Sequence, residues 1–209
     1  EDPRGASVEY FAELASRLQS QFSSIDVEIY PLSQEDYTRL FAAGIDGVTL
    51  YQETYDRATY ADWHVAGPKR DYDYRLETPD RFAAAGMRRL GLGFLLGLAD
   101  WRIETLALAR HAAHLMRRYW RAQVSFSFPR IRPAQDVADQ FDHLVSDRDL
   151  VQMMLALRLC FADAGLVLST REGARLRDRL VGLGITRMSA GSRTNPGGYS
   201  EQNSEKQFE

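Results

Sequence analysis

The sequence predicts an α/β fold: an incomplete (β/α)8 TIM-type barrel of roughly six parallel strands with crossover helices, its first two strands missing. Three observations predict it. Short β-rich runs alternate with amphipathic helical runs along the chain, and regular βα alternation calls for a parallel sheet with helical crossovers. Six such units fit into 209 residues, whereas a closed barrel of eight takes about 250. Polar residues gather after the strands, where parallel βα proteins keep their reactive groups. An open doubly wound sheet shares the same alternation and stays open at this level.

The elements follow in order. Val8, Phe11, Ala15, Leu18 and Phe22 keep helical spacing. Val27-Glu28-Ile29-Tyr30 alternates as a strand. Ser33 with Asp36 three residues on reads as a capping-box-like helix start, and Gly44 as its terminator. Gly47 to Tyr51 is the next strand. From Tyr55 to about Glu77 the sequence reads as a polar loop, long enough to suggest a lid or other functional role. Thr78-Pro79-Asp80 opens a helix that ends at Gly86. Leu90 to Leu98 is a glycine-rich strand, followed by a helix with Leu108, Ala112, Leu115 and Tyr119 on its core face. Val124 to Phe128 is a strand stopped by Pro129. Ser146 opens a helix, Leu166 to Ser169 is a strand, a short helix runs to Gly184, and Ile185 to Ala190 is the last strand. The barrel unit spans residues 1–194, and 195–209 is a polar carboxyl-terminal tail.

Composition excludes several classes. A net charge of -3 gives no footprint for nucleic acid. No apolar run reaches the roughly 18 residues a membrane span needs; the Leu90–Ala99 stretch is broken by Gly91, Gly93 and Gly97. The first residues show neither a basic start nor an apolar core of a signal peptide. The single cysteine, Cys160, rules out an internal disulfide and fits a reducing, cytoplasmic setting. It reads as a small core residue of an apolar helix. His111 and His114, three apart on a helix, lack a third ligand at metal spacing and read as surface or packing residues. His64 sits in the long loop, where a group titrating near neutrality is harder to dismiss.

The strand ends carry the chemistry. Gln52, Glu53 and Tyr55 follow one strand, Arg130 and Arg132 another, Arg171 and Glu172 a third, and Ser189, Ser192 and Arg193 the last. Arginine donates two parallel hydrogen bonds to a carboxylate. Several arginines around one mouth therefore suggest an amino acid or another small anion, although solvated loops or rim ion pairs give the same pattern. Glycines 91, 93 and 97 mark close approach to the backbone, either by a flat ligand such as adenine or by crowded neighbours. The Gly191–Gly198 loop offers a phosphate cradle, without the GK[ST] ending of a P-loop.

These residues also fall into recognisable strings. Tyr51-Gln-Glu-Thr-Tyr55, Tyr60, His64, Gly67-Pro-Lys-Arg-Asp-Tyr72 and Arg75-Leu-Glu-Thr-Pro-Asp-Arg81 come first. Gly91-Leu-Gly-Phe-Leu-Leu-Gly-Leu-Ala-Asp-Trp-Arg102, Ser125-Phe-Ser-Phe-Pro-Arg-Ile-Arg-Pro133, Leu168-Ser-Thr-Arg-Glu172 and Ser189-Ala-Gly-Ser-Arg-Thr-Asn-Pro-Gly-Gly-Tyr199 continue in order. Together they resemble the radical S-adenosylmethionine (SAM) tyrosine lyases, and the Asp-Trp-Arg and Ser-Phe-Pro-Arg-Ile-Arg-Pro variants look most like the 2-iminoacetate synthases of thiamine biosynthesis.

The resemblance implies a (β/α)8 barrel in which a 4Fe–4S cluster and SAM cleave the Cα–Cβ bond of L-tyrosine to 2-iminoacetate (dehydroglycine) and p-cresol. It implies as partners the thiazole synthase of the thiamine pathway and a reductant such as flavodoxin or ferredoxin. Carried over residue by residue, Glu53 matches the ligand of the SAM ribose, and Arg75 that of the SAM carboxylate. Gly93, Leu95 and Gly97 match the strand beside the adenine, and Glu1 the last residue of a Gly-Glu motif that binds the SAM amino group. Gln52 and Tyr55 belong to the same cofactor-binding string. Arg171 is the candidate for the substrate carboxylate, Ser189 for its amine, and Arg130 a further substrate contact. The departure is the CxxxCxxC cluster loop, which this sequence lacks. The expectation is therefore an inactive partial product of such an enzyme. The alternatives are a non-catalytic scaffold of the thiazole pathway, the related tyrosine lyase of hydrogenase maturation, or a phosphate-handling barrel enzyme.

Overall fold

Short polar side chains decide where the helices begin. In the computed structural model, which describes residues 6–131, 141–169 and 171–190, Ser7 caps α1 (Val8–Leu18) and Ser33 caps α2 (Gln34–Ala42). The expected capping-box-like start is present: the Ser33 hydroxyl accepts from the Asp36 N–H and donates to its carboxylate at 2.8 Å. Between these helices lies β1 (Asp26–Glu28), and after them β2 (Gly47–Tyr51). Gly44, at φ 98°, provides the left-handed residue that ends α2.

The segment expected as a long loop is mostly helical. Asp56 caps α3 (Arg57–Trp63), Pro68–Arg70 forms a 3₁₀ turn, and Asp71 caps α4 (Tyr72–Leu76). These pieces are too short to show a 3.6-residue period, so their caps are the only sequence signal they carry. α5 (Thr78–Ala84) follows, with Pro79 in its first turn. β3 (Arg89–Gly93) stops earlier than the expected Leu90–Leu98 strand. Beyond Gly93 the chain makes one further bridge, Leu96 to Arg130. Then come α6 (Trp101–Arg118), β4 (Gln123–Ser127), α7 (Asp147–Cys160), β5 (Gly165–Leu168), α8 (Ala174–Val181) and β6 (Arg187–Met188). Two smaller expectations are corrected. The first helix ends before Phe22, which is exposed, and Cys160 lies exposed in the last turn of α7 rather than in the core.

All six strands pair in parallel in the order β1-β2-β3-β4-β5-β6. A doubly wound sheet reverses its order at a switch point, and none of these pairings does. With right-handed crossovers, an unreversed order puts the helices on one face of the sheet. The sheet curls away from them until Asp26 of β1 comes within 3.8 Å of Arg187 of β6 across the hollow. The result is a curled half-barrel. Its apolar core lies on the convex side, where Val48, Leu50, Leu90, Leu92, Val124, Phe126, Leu166 and Leu168 pack against helical residues such as Leu108, Leu115 and Met154. No described helix is long and apolar enough to cross a membrane.

Candidate active site

Strand register stacks the inward-facing side chains in levels. Asp26, Gly47, Arg89 and Gln123 share the lowest. Glu28, Thr49, Gly91, Ser125 and Gly165 form the next, and Tyr51, Gly93, Ser127, Val167 and Arg187 the one above. Barrel interiors are ordinarily filled by bulky branched residues. Here small and polar residues leave a cavity of about 510 Å³. Its floor is the ion pair between Arg89 and Asp26, with Arg89 Nη2 at 2.7 Å from Asp26 Oδ1. The glycines of β3 make room for neighbours on β2. A Cβ on Gly91 would lie 2.1 Å from the Thr49 hydroxyl oxygen, and one on Gly93 2.8 Å from the Tyr51 ring. The Tyr51 hydroxyl donates to Glu28 Oε2 at 3.3 Å. Solvent reaches the outer edge of Glu28, yet desolvation against the wall raises its carboxyl above the usual range; the Tyr51 hydrogen bond opposes this and the charge of Glu53 adds to it.

A second hollow, of about 360 Å³, adjoins the first and shares Glu28, Thr49 and Tyr51 with it. Glu53 stands there. Its φ of 72° is the one positive value at a non-glycine residue among the described residues. Backbone bonds hold it in place: Gln52 donates to the Gly93 carbonyl at 2.9 Å, and Leu95 to the Glu53 carbonyl at 2.7 Å. The Glu53 carboxylate meets Lys69 Nζ at 2.7 Å and Arg75 Nη2 at 3.0 Å. Arg75 comes from α4 and is 4% exposed; its Nε also donates to the Tyr51 carbonyl at 2.7 Å. The segment that looked like a loop thus delivers both cations of this hollow, Lys69 and Arg75.

Arg171 and Ser189 line the opposite side of the larger cavity. The Ser169 hydroxyl accepts from the Arg171 N–H at 3.1 Å, and the Ser189 N–H donates to the Leu168 carbonyl at 3.0 Å. Glu53, Arg75, Arg171 and Ser189 therefore belong to one continuous mouth, joined through Tyr51.

Other expected site residues are placed elsewhere. Arg130 does not join the mouth. Its fork is taken by the buried Glu172 (Nε to Oε1 at 3.1 Å, Nη2 to Oε2 at 2.5 Å), by Asp147 at 2.8 Å and by the Val145 carbonyl at 2.9 Å. It ties the end of β4 to the start of α7 and the loop after β5. Gln52 and Tyr55 line neither hollow. Gln52 is 4% exposed, and its side-chain amide nitrogen has no partner among the described residues. The Tyr55 hydroxyl meets His111 Nδ1 at 3.0 Å, and its N–H donates to the buried Glu104 carboxylate. Burial holds His111 down to about 4, which keeps it neutral as a packing residue. Gly97, at φ 119°, sits beside Ile131. His64 caps α3 and packs on Tyr60 at 4.4 Å between ring centroids, and His114 pairs with Asp80 at 3.0 Å. Glu1, Arg132, Ser192, Arg193, the Gly191–Gly198 loop and the 195–209 tail lie outside the described residues.

Sequence reasoning missed Glu28, Thr49, Tyr51 and Lys69 as residues of the hollow. The available signal was period two: Asp26/Glu28, Thr49/Tyr51 and Ser125/Ser127 occupy alternate positions whose neighbours are apolar.

Comparison with known proteins places this mouth in context. The chain is 43% identical over 199 residues to the 2-iminoacetate synthase of Escherichia coli (strain K12), covering 95% of this chain and 52% of that one. Along nearly all of its own length, the chain is similar to the 2-iminoacetate synthases of Escherichia coli and Salmonella typhimurium. It spans about half the length of the curated relatives it matches. The family model for the biotin and thiamin synthesis associated domain matches residues 127–207. Among solved structures, HydG, a maturase of the [FeFe]-hydrogenase, superposes with a TM-score of 0.88 at 37% identity, covering 96% of this chain and 46% of that one. Methylornithine synthase (TM-score 0.69, 19% identity, 98% of this chain and 60% of that one) shares the fold. The likeness to 2-iminoacetate synthase and to HydG implies SAM and a 4Fe–4S cluster, the cofactors of radical SAM lyases. The cluster does not fit the residues present here. Cys160 is the only cysteine of the sequence, and no group of three metal-binding side chains occurs among the described residues. The smaller hollow is chemically compatible with SAM, since an acid and a buried guanidinium face it.

Proposed function

We propose that this chain supplies the SAM-binding and substrate-binding mouth of a 2-iminoacetate synthase, which cleaves the Cα–Cβ bond of L-tyrosine to 2-iminoacetate and p-cresol for the thiazole ring of thiamine. The observation that carries the reading is the pair of hollows sharing Tyr51, with Glu53 and Arg75 in one and Arg171 and Ser189 in the other.

In this reading Glu53 accepts hydrogen bonds from the two ribose hydroxyls of SAM. Arg75 pairs with its carboxylate; Gly93, Leu95 and Gly97, which the resemblance sets beside the adenine, line neither hollow, and the Tyr51 ring covers Gly93. When bound, SAM supplies the hydrogen-abstracting chemistry. The chain's own part is to hold the substrate in one pose, because orientation decides which hydrogen is taken. Arg171 clamps the tyrosine carboxylate and Ser189 its amine. Arg130 supports the rim on which they sit rather than touching substrate. The charges of the Glu53–Lys69–Arg75 cluster are satisfied before ligand arrives, so the hollow is preorganised. The Pro68–Arg70 turn and α4 flank it and help exclude water. The imine then passes to a thiazole synthase, with flavodoxin or ferredoxin as electron source.

The test uses the protein expressed from its complete reading frame, with a reconstituted cluster, under anaerobic reducing conditions. Tyrosine-dependent p-cresol formation is expected, and it falls by on the order of 100-fold or more in Arg171→Met, which removes a charge-assisted substrate contact. No p-cresol from a loaded wild-type protein overturns the reading. A second reading, the tyrosine lyase of hydrogenase maturation, draws on the likeness to HydG. A product that thiazole synthase cannot use would favour it.

A further inference from the structure

We propose that Glu104 is a positioning residue for the smaller hollow: its buried carboxyl holds residues 54–56 and so aims Glu53 at the ribose of SAM. The proposal rests on the SAM reading of that hollow and extends it to a helix that does not line it.

Glu104 lies in the first turn of α6 and is 2% exposed. It collects donors from three consecutive residues. Oε1 accepts from the Thr54 hydroxyl at 3.0 Å and from the Asp56 N–H at 3.0 Å, and Oε2 accepts from the Tyr55 N–H at 2.9 Å. No cation pairs with it among the described residues. Burial raises its carboxyl above the usual range, and the bonds from Tyr55, Thr54 and Asp56 oppose the rise. An acid buried without a counter-ion is costly, and departures of this kind gather at functional sites.

The turn that Glu104 fixes starts next to the strained residue. Glu53 sits at φ 72°. On one side it is held to the chain after β3, through the Gln52 N–H on the Gly93 carbonyl and the Leu95 N–H on its own carbonyl. On the other side the chain passes directly into the three residues that Glu104 holds. His111 lies two turns further along the same face of α6 and meets the Tyr55 hydroxyl at 3.0 Å, so one helix face grips Tyr55 at its backbone and at its ring. Tyr72 of α4 donates to the Tyr55 carbonyl at 2.8 Å, and Arg75, one turn on, meets the Glu53 carboxylate. The acid that faces the ligand, the cation beside it and the buried acid behind it thus belong to one frame. Pinned on both sides, Glu53 keeps its left-handed backbone and its carboxylate stays in the hollow, which is how supporting hydrogen bonds hold a binding group to the tolerance a ligand needs.

The experiment is a double-mutant cycle read by SAM affinity, measured by anaerobic isothermal titration calorimetry on cluster-loaded protein from the complete reading frame. It compares wild type, Glu104→Gln, Glu53→Ala and the double variant. Glutamine keeps the shape of the side chain but sets an amide NH2 against backbone donors. Glu104→Gln should weaken SAM by on the order of 10-fold, the worth of about one hydrogen bond. It should weaken SAM no further once Glu53 is alanine, because a residue that acts through Glu53 then has nothing left to aim. Thr54→Val, which removes one donor from the Glu104 carboxyl, should give a smaller loss that vanishes in the same background, and it carries the cycle if the glutamine variant does not fold. An unchanged SAM affinity in Glu104→Gln, or an equal loss with and without the Glu53 carboxylate, overturns the positioning role and leaves the SAM reading standing. If wild type does not bind SAM, or Glu53→Ala binds it as tightly as wild type, both fall.

Discussion

Glu53 is the residue at which backbone and function meet. A non-glycine side chain in the left-handed region costs on the order of 1–2 kcal/mol, and such strain persists where the surroundings over-determine it. Here the Gln52–Gly93 and Leu95–Glu53 backbone bonds do so, and they place the carboxylate between Lys69 and Arg75. Two variants separate the conformational cost from the lost charge. Glu53→Ala and Glu53→Gly both remove the carboxylate, but only glycine accepts φ 72° without penalty. The glycine variant should therefore be more stable than the alanine variant by about 1 kcal/mol in urea unfolding. Equal stabilities would mean that the loop relaxes once the ion pairs are gone.

At the scale of elements, the clamp around Arg130 joins three pieces of chain far apart in sequence: the end of β4, the start of α7 and the turn after β5. Arg130 and Glu172 are 4% and 3% exposed. Removing one partner of a buried ion pair leaves the other as an uncompensated charge. Arg130→Met should cost about 3–5 kcal/mol of unfolding free energy, while combining it with Glu172→Leu should restore most of the loss. A single variant of wild-type stability would show the clamp to be idle. This clamp also shows where sequence reading stops. The arginine and the glutamate were both visible at strand ends, and the type of residue suggested a ligand. Whether a guanidinium meets a substrate or a neighbouring glutamate depends on a contact across 42 residues, which no local pattern encodes. Glu53 and Arg75 could be named as candidates because they sit in long distinctive strings, whereas Glu28 sits in a three-residue strand with little surrounding text. The strands themselves were readable from β-rich runs between helices; β2 falls where expected, and the others shift by one to a few residues. α3 and α4 were not, because seven and five residues give no period to read.

At the scale of the molecule, the two faces of the sheet divide the work. The convex face carries the apolar core, and the concave face carries hydroxyls, charges and glycines. Leu92→Ala on the convex face should cost about 2–5 kcal/mol in thermal or urea unfolding. Ser125→Val on the concave face should change stability by less than about 1 kcal/mol, because it points into the hollow and leaves no buried polar partner orphaned. Comparable losses from both would contradict the division.

The glycines of β3 give that division an unexpected reach. Because Tyr51 lies across the bare backbone at Gly93, and its hydroxyl touches Glu28, one added methyl on the third strand would press on a ring anchored on the second and on the Ser127 carbonyl of the fourth, and so disturb a hydrogen bond that reaches the first. Three neighbouring strands are thus mechanically coupled, and a single methyl group is felt by more than one of them.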